Sequence, residues 1–565
     1  MTAKKNSLTV SRNDCGRAGG AVAASRLRHA ISRFGVTGWG ATCAIFLGSI
    51  ALAATSVHAQ TASSPLAIPL ELGAIPPQDM IALAPGGIEK GIAALPAIVE
   101  DTMKRSGVPG LAVAVVHGGK TVFAQGFGVR EIGKDAAVDP ETVFQIASLS
   151  KPISGTVAAI EVTAGKVSWD DKVVRFLPSF ALADPYVTAN ATIGDFFAHR
   201  SGLPLAAGDD LEDLGFDRST IIERLRLLPL DPFRISYHYA NFGITTGAEA
   251  VAAASGQTWE ELAAKALFAP LGMASTSARH QEFLARKNRT VLHALEDGRF
   301  RALYDRNADA QSPAGGVSSN VVDLAEWLKL LLAGGKFGGT QMISAEALAP
   351  MLRAQAFSAP APAPDARSGF YGYGFNVSVD ADGRPMMSHS GAFSLGGATN
   401  MQMIPTADVA IVVLTNAGPV GAAETVSTQF MDFVRYGAST RDWFTLYHPL
   451  LLNYYDPAGD LVDAKPPAKP AAASAPAAYV GTYLNEYFGP ARIDLDGQDL
   501  FFSAGPKAAR LKLTPWTGDE FSVAPRGENQ PFGSLSSVKF EVKDGKAVSF
   551  SVGYLDGNGM GTWHR

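Results

Sequence analysis

Ser148 and Lys151 stand three residues apart, Tyr239 precedes Asn241 by two, and His389 is followed by Ser390 and Gly391. These residue types suit acyl transfer. A serine hydroxyl is nearly inert at neutral pH, so a serine nucleophile needs a base in contact with it, and three residues along a helix is one such distance. A buried tyrosine beside a lysine ammonium is expected to be pushed toward its phenolate, making it a proton acceptor and later a donor to the leaving group. Asn241 offers both a donor and an acceptor to a substrate amide. His389, Ser390 and Gly391 open a glycine-rich stretch ending at Gly397, where backbone can approach a ligand closely. The N–H groups of Ser148 and Ala392 are the expected oxyanion hole.

None of these motifs is specific alone, because the chain repeats each of them. Ser536 and Lys539 share the first spacing, Tyr483 and Asn485 the second, and His117 and Gly119 the third. A capping serine with a solvated lysine, a core tyrosine and a structural histidine are the plain alternatives. Order and context weigh against them: Ser-x-x-Lys at a helix start, Tyr-x-Asn about 90 residues on, then His-x-Gly on a late strand, consistent with one cleft.

The elements that must position these residues are legible. Ile92, Leu95, Ile98, Val99 and Met103 have helical spacing with Gly107 as the stop, and Leu111–Val116 and Thr121–Gln125 form a hairpin through Gly118 and Gly119. The Ser148 helix is expected to run through Ile153, Val157 and Ile160 to Gly165. Residues 166–310 read as helices and loops, and a helix carrying Val322, Leu324, Leu328 and Leu331 closes at Gly334 and Gly335. Strands follow at Gly372–Val379, Met386–His389, Ala398–Ile404 and Val409–Thr415, then a helix over Glu424–Val434. The fold class is α+β: an antiparallel sheet completed by both ends of the region, flanked by helices, with a helical lobe and a cleft between them. After a Pro/Ala-rich linker at 456–478, residues 479–565 carry β-rich runs at Ile493–Leu495, Leu500–Ser503, Leu511–Leu513, Val538–Val542 and Ala547–Val552, a small all-β barrel.

The first 59 residues differ from the rest. Seven Lys and Arg precede an apolar run from Ala41 to Ala54, and Val57-His58-Ala59 ends in small residues, so 1–59 is expected to be a secretory signal cleaved after Ala59, with an extended lead-in at 60–88 and a main domain at 89–455. Both cysteines, Cys15 and Cys43, fall inside it, and its removal leaves 41 basic against 52 acidic residues, a net charge of −11. That surface argues against nucleic acid or an anionic membrane as partner. A periplasmic or secreted protein is expected, with no membrane anchor after cleavage, no disulfide and an oligomeric state left open. Gly-x-Ser-x-Gly, His-Glu-x-x-His and a phosphate-binding loop with lysine are all absent, so no cofactor or metal is implied.

With its motifs in that order, and with the blocks FQIASLSKPISG, TIGDFFAHRSGLP, YANFGITTGAEAV, PAGGVSSNVVDLAEWL and SHSGAFSLGGATNMQMIPTADVAIVVLTN, the chain resembles the serine beta-lactamase-like hydrolases. These include class C beta-lactamases, DD-peptidases, D-aminopeptidases and beta-lactamase-like esterases. The resemblance covers roughly residues 90–450, and YVGTYLNEYFGPARIDLDG is similar to the lipocalin-like β domain often appended to them. It implies that Ser148 is the acylated nucleophile, Lys151 the partner that lowers its proton affinity, Tyr239 the general base in acylation and proton donor to the leaving group, and Asn241 a substrate-amide ligand. Whether Lys151 or Tyr239 takes the first proton is left open. His389 stands where class C beta-lactamases carry a lysine, and histidine is mostly neutral near pH 7, which points away from beta-lactams. The leading expectation is a serine hydrolase of small amides, peptides or esters, its partner a small-molecule or peptide substrate. A class C-like beta-lactamase or penicillin-binding protein, and a non-catalytic binding protein on the same fold, are the alternatives.

Overall fold

The computed structural model describes residues 81–565. The expected signal, both cysteines and most of the lead-in lie outside the described residues. Among the described residues no helix is long and apolar enough to cross a membrane.

Leu111, Val113 and Val115 pack into one hydrophobic cluster, while Ala112, Ala114 and Val116 pack into another. The strand they form, β1 (Gly110–His117), is therefore covered on both faces, which is why its sequence is continuously apolar instead of alternating. Gly118 and Gly119 both adopt positive φ, as a two-residue hairpin turn of this hand requires, and lead into β2 (Lys120–Gly128). Six later strands join them: β3 (Ala356–Ala359), β4 (Gly369–Tyr371), β5 (Asn376–Val379), β6 (Pro385–Phe393), β7 (Gly397–Ile404) and β8 (Val409–Thr415). Their order is β2-β1-β8-β7-β6-β5-β4-β3 with every neighbouring pair antiparallel. The β1–β8 pairing completes one sheet from both ends of the region, as expected.

Helix α1 (Gly87–Ser106) places Leu95 and Val99 against one face of this sheet, and α6 (Ala422–Tyr436) adds Val426 and Phe430. The other face meets α5 (Val321–Leu332), and α2 (Ser150–Thr163) belongs to the same hydrophobic cluster. Between these two, short helices form the lobe, including α3 (Asp209–Asp213) and α4 (Asn241–Ala254). The strand expected over Gly372–Val379 is interrupted at 372–375. That turn lies on α2, where a Cβ at Gly374 (φ 92°) would sit 2.7 Å from Lys151 O, so the chain gives up sheet pairing to cover the helix carrying Lys151.

The C-terminal region is an eight-stranded antiparallel meander from Gly481–Tyr483 to Thr562–His564. Reciprocal backbone hydrogen bonds between Leu484 and His564, 2.7 and 2.9 Å, join its ends into a barrel. Tyr483, Phe502, Phe550 and Trp563 are buried inside it, with Phe550 stacked on Trp563 at 5.4 Å. The aromatic residues fill the core. Three of the eight strands, Gly481–Tyr483, Glu520–Val523 and Thr562–His564, are too short to have shown a pattern in the sequence.

Candidate active site

Ser148 lies on a single 3-10 turn (Ala147–Leu149) that runs into the N-terminus of α2. Ala147 adopts φ 47°, a left-handed conformation that costs a non-glycine residue about 1–2 kcal/mol. Neighbours pin the turn: Ile146 N–H donates to Val317 O at 3.0 Å and Thr399 Oγ1 donates to Ile146 O at 3.0 Å. Ser150 links it onward, donating to Ala147 O at 2.7 Å and accepting from Val317 N–H at 3.0 Å. On the side of β6, a Cβ at Gly391 would stand 2.9 Å from Ser148 N and collide with Ile146 O, so only glycine lets the strand come this close.

Lys151 is fully buried, and its Nζ meets Ser148 Oγ at 2.9 Å, Asn241 Oδ1 at 2.7 Å and Ala314 O at 2.9 Å. Burial pushes its ammonium down to about 7, against the opposing pull of Asp209. The positive end of α2 acts in the same sense as burial. Two of the three partners are acceptors only. A neutral amine spends its two N–H bonds on Asn241 and Ala314, and its lone pair then faces the Ser148 hydroxyl. Asn241, the first residue of α4, is oriented by Asp209, whose Oδ2 accepts from its Nδ2 at 3.0 Å.

The Tyr239 ring centroid lies 4.4 Å from Lys151 Nζ. Burial pushes the Tyr239 phenol well above its ordinary range, with a hydrogen bond to Ser148 as the largest opposing influence. This is the reverse of the expected push toward phenolate, because burial penalises the phenolate charge. Tyr239 is therefore held as a neutral phenol. The segment before α4 is anchored by His199, which accepts from Ala240 N–H through Nδ1 at 3.2 Å and itself sits at φ 56°.

His389, on β6, is buried, and burial followed by the Lys151 charge pushes its imidazole down to about 3. Its Nδ1 faces Ser390 O at 2.6 Å, an acceptor, so Nδ1 carries the proton and Nε2 accepts from the Tyr371 hydroxyl at 2.9 Å. Both ring nitrogens are occupied, and the ring is neutral. Ser390 Oγ donates to Glu424 Oε1 at 2.9 Å and accepts from Asn400 Nδ2 at 3.0 Å.

Ser148, Tyr239, Asn241, His389, Ser390 and Ala392 line one cavity of about 790 Å³, with Lys151 beneath it. Gly391, between Ser390 and Ala392, packs against Ile146 O and Ser148 N instead of lining the cavity. The same cavity is lined by Asp209, Glu212, Arg306, Glu424 and, from the C-terminal barrel, Glu528 and Asn529. None of these, nor Tyr371 and His199, was singled out from the sequence. His199 belongs to a block quoted above, and the spacing of Asp209 and Glu212 puts two carboxylates on one helical face, but no local signal ties Glu528 to a serine 380 positions earlier.

A family model described as Beta-lactamase matches residues 95–432, and one described as a domain of unknown function matches 465–558. Penicillin-binding protein 4 of Amycolatopsis lactamdurans is 29% identical over 319 residues, 55% of this chain and 81% of that protein. A protein named unguisins hydrolase from Aspergillus campestris is 25% identical over 410 residues, 70% of this chain and 75% of its own. The D-alanyl-D-alanine-carboxypeptidase/endopeptidase AmpH of Escherichia coli K12 is 24% identical, over 58% of this chain and 85% of its own. Among solved structures, the octameric penicillin-binding protein homologue from Pyrococcus abyssi superposes with a TM-score of 0.53 at 20% identity, covering 82% of this chain and 98% of that one, a likeness of fold.

Proposed function

The chain belongs to the Beta-lactamase family, and from that premise we propose that it is a serine hydrolase of small amides, peptides or esters, acting through an acyl-enzyme on Ser148. The observation that carries this reading is the buried Lys151 Nζ, 2.9 Å from Ser148 Oγ with its other partners both acceptors. Neutral Lys151 takes the Ser148 proton as Oγ adds to the substrate carbonyl, and the N–H groups of Ser148 and Ala392 receive the oxyanion. The tetrahedral adduct collapses, the acyl carbon–leaving group bond breaks, and the neutral Tyr239 phenol protonates the leaving group with its proton replaced from Lys151. Water then attacks the acyl-enzyme by the reverse proton path. Asn241 steadies Lys151 on one side and a substrate amide on the other.

Two relatives carry penicillin-binding or D-alanyl-D-alanine in their names, which keeps peptide and beta-lactam substrates in view. The neutral, doubly bonded His389 provides no cation for a substrate carboxylate. Simple amides and esters are therefore preferred to beta-lactams. Turnover of p-nitrophenyl esters and amino-acid amides by purified protein, abolished in Ser148→Ala, tests the assignment; unchanged turnover in that variant contradicts it. Nitrocefin hydrolysis at a rate matching those substrates would contradict the preference against beta-lactams. We also propose a periplasmic or secreted location on the strength of residues 1–59, for which the mature chain recovered from cell fractions is expected to begin at Gln60.

A further inference from the structure

Asp209 and Glu212 are one turn apart on α3, only 8% and 5% exposed, and both line the Ser148 cavity. Asp209 Oδ2 is taken by Asn241 and Glu212 Oε2 by Arg306 Nη2 at 2.6 Å and by Gln311. Asp209 Oδ1 and Glu212 Oε1 have no protein partner. Glu528, from the barrel, is fixed by Ser394 N–H at 2.7 Å and lies 3.9 Å from Arg306 Nε. Glu212 and Glu528 thus share one guanidinium, while Asp209 has only the Asn241 amide. A buried carboxyl oxygen without a donor is costly, so this wall is incomplete without a ligand that brings N–H groups and positive charge.

We propose that this wall is the binding site for a free amino group of the substrate, an ammonium held by the free oxygens of Asp209 and Glu212, with Glu528 adding negative charge beside Arg306. The inference rests on the hydrolase reading for the assumption that substrate occupies this cavity. A neutral donor would fill the two free oxygens without balancing the excess of carboxylates, whereas an ammonium has three donors and a charge. A metal ion fits less well: among the described residues no group of three His, Cys, Asp or Glu side chains has metal-holding geometry. Of the cations here, Lys151 bonds Ser148, Asn241 and Ala314, and Arg306 bonds Glu212 and Asn307 O, its Nε facing Glu528 at 3.9 Å without a hydrogen bond. Burial, reinforced for Asp209 by the charge of Glu212, pushes Asp209 well up, and burial pushes Glu528 up to about 7. An arriving ammonium favours the charged form of each. Glu528 makes the C-terminal barrel part of the specificity wall.

The test is calorimetric binding to Ser148→Ala protein of phenylalanine amide, with its free amine, and of N-acetylphenylalanine amide, in both enantiomers at about pH 7. The free amine is expected to bind about tenfold tighter or better, as a charge-assisted hydrogen bond implies. Adding Glu212→Gln or Glu528→Gln is expected to bring that ratio below about threefold. The Glu528 variant, on a barrel loop, keeps the test open if Glu212→Gln fails to fold. Equal binding of the two amides, no binding of either, or a ratio unmoved by both substitutions overturns the proposal. Labelling of wild-type Ser148 by a fluorophosphonate reads the acyl-enzyme separately. Labelling with equal binding overturns the amine site alone, and amine preference without labelling overturns the acyl-enzyme alone.

Discussion

Ser148 and Lys151 occupy a helical turn, where three residues nearly complete a revolution, and their side chains meet at 2.9 Å. Ser536 and Lys539 occupy a barrel strand (Ser536–Lys543), where an odd spacing sends side chains to opposite faces. Ser536 is buried and donates to Asp460 at 2.9 Å, while the exposed Lys539 lies 3.6 Å from Glu520. The second pair of Tyr-x-Asn motifs divides the same way. Tyr239 and Asn241 flank Lys151, whereas Tyr483 donates to Tyr479 O at 2.7 Å and Asn485 ties down Met560 O and Thr562 O inside the barrel. Identical residue types at identical spacing converge on one cavity or disperse into scaffolding according to the backbone beneath them and the burial around them. In the first region burial strips a lysine of its preference for charge; in the second, solvent leaves a lysine nothing to do.

The contrast can be broken most severely at the lysines. Lys151→Met is expected to lower kcat/KM for p-nitrophenyl esters by roughly 10⁴ or more, and Lys539→Met by no more than about twofold. Comparable losses would show that position in the fold is not what separates them. Tyr239→Phe is expected to lower kcat by about 10²–10³, more for amides with poor leaving groups than for esters, as loss of a proton donor implies. Tyr483→Phe should match wild type in the same assay. The pH profile sharpens the point: Lys151 must be neutral to act, so activity should fall as pH drops through about 7, approaching tenfold per unit below it. An acid limb centred near pH 4 would assign the proton acceptor to a carboxylate instead.

Smaller effects probe the backbone. Ala147→Gly removes a positive-φ penalty before Ser148 and is expected to stabilise the protein by about 1 kcal/mol, seen as a higher Tm. Ser536→Ala removes one of the hydrogen bonds to Asp460, costing about 1 kcal/mol in stability with no change in kcat/KM.

Much of this architecture was legible from residues that answer to local rules. The helix stop at Gly107, the hairpin at Gly118–Gly119 and the strand Val409–Thr415 were all marked by turn residues or apolar runs, and Ser148, Lys151, Tyr239 and Asn241 lay in recognisable blocks. What escaped depends on distant partners. Tyr371 matters through His389, and Glu528 through Ser394 and Arg306, contacts that no spacing encodes. The edge strand Ala356–Ala359 lacks alternation, and the helix Trp443–Leu452 carries Pro449, which local propensity counts against it. At Tyr239 a neighbouring cation favours the phenolate while burial of the anion opposes it, and the sequence shows the first without the second.

Central to this account is that one of two Ser-x-x-Lys serines is a nucleophile because a buried, neutral lysine faces it. Peptide mass mapping after treatment with a fluorophosphonate addresses it most directly. An adduct on Ser148, none on Ser536, and loss of the Ser148 adduct in Lys151→Met is the predicted result; a folded wild-type protein that stays unlabelled at Ser148, or labels equally without Lys151, contradicts it.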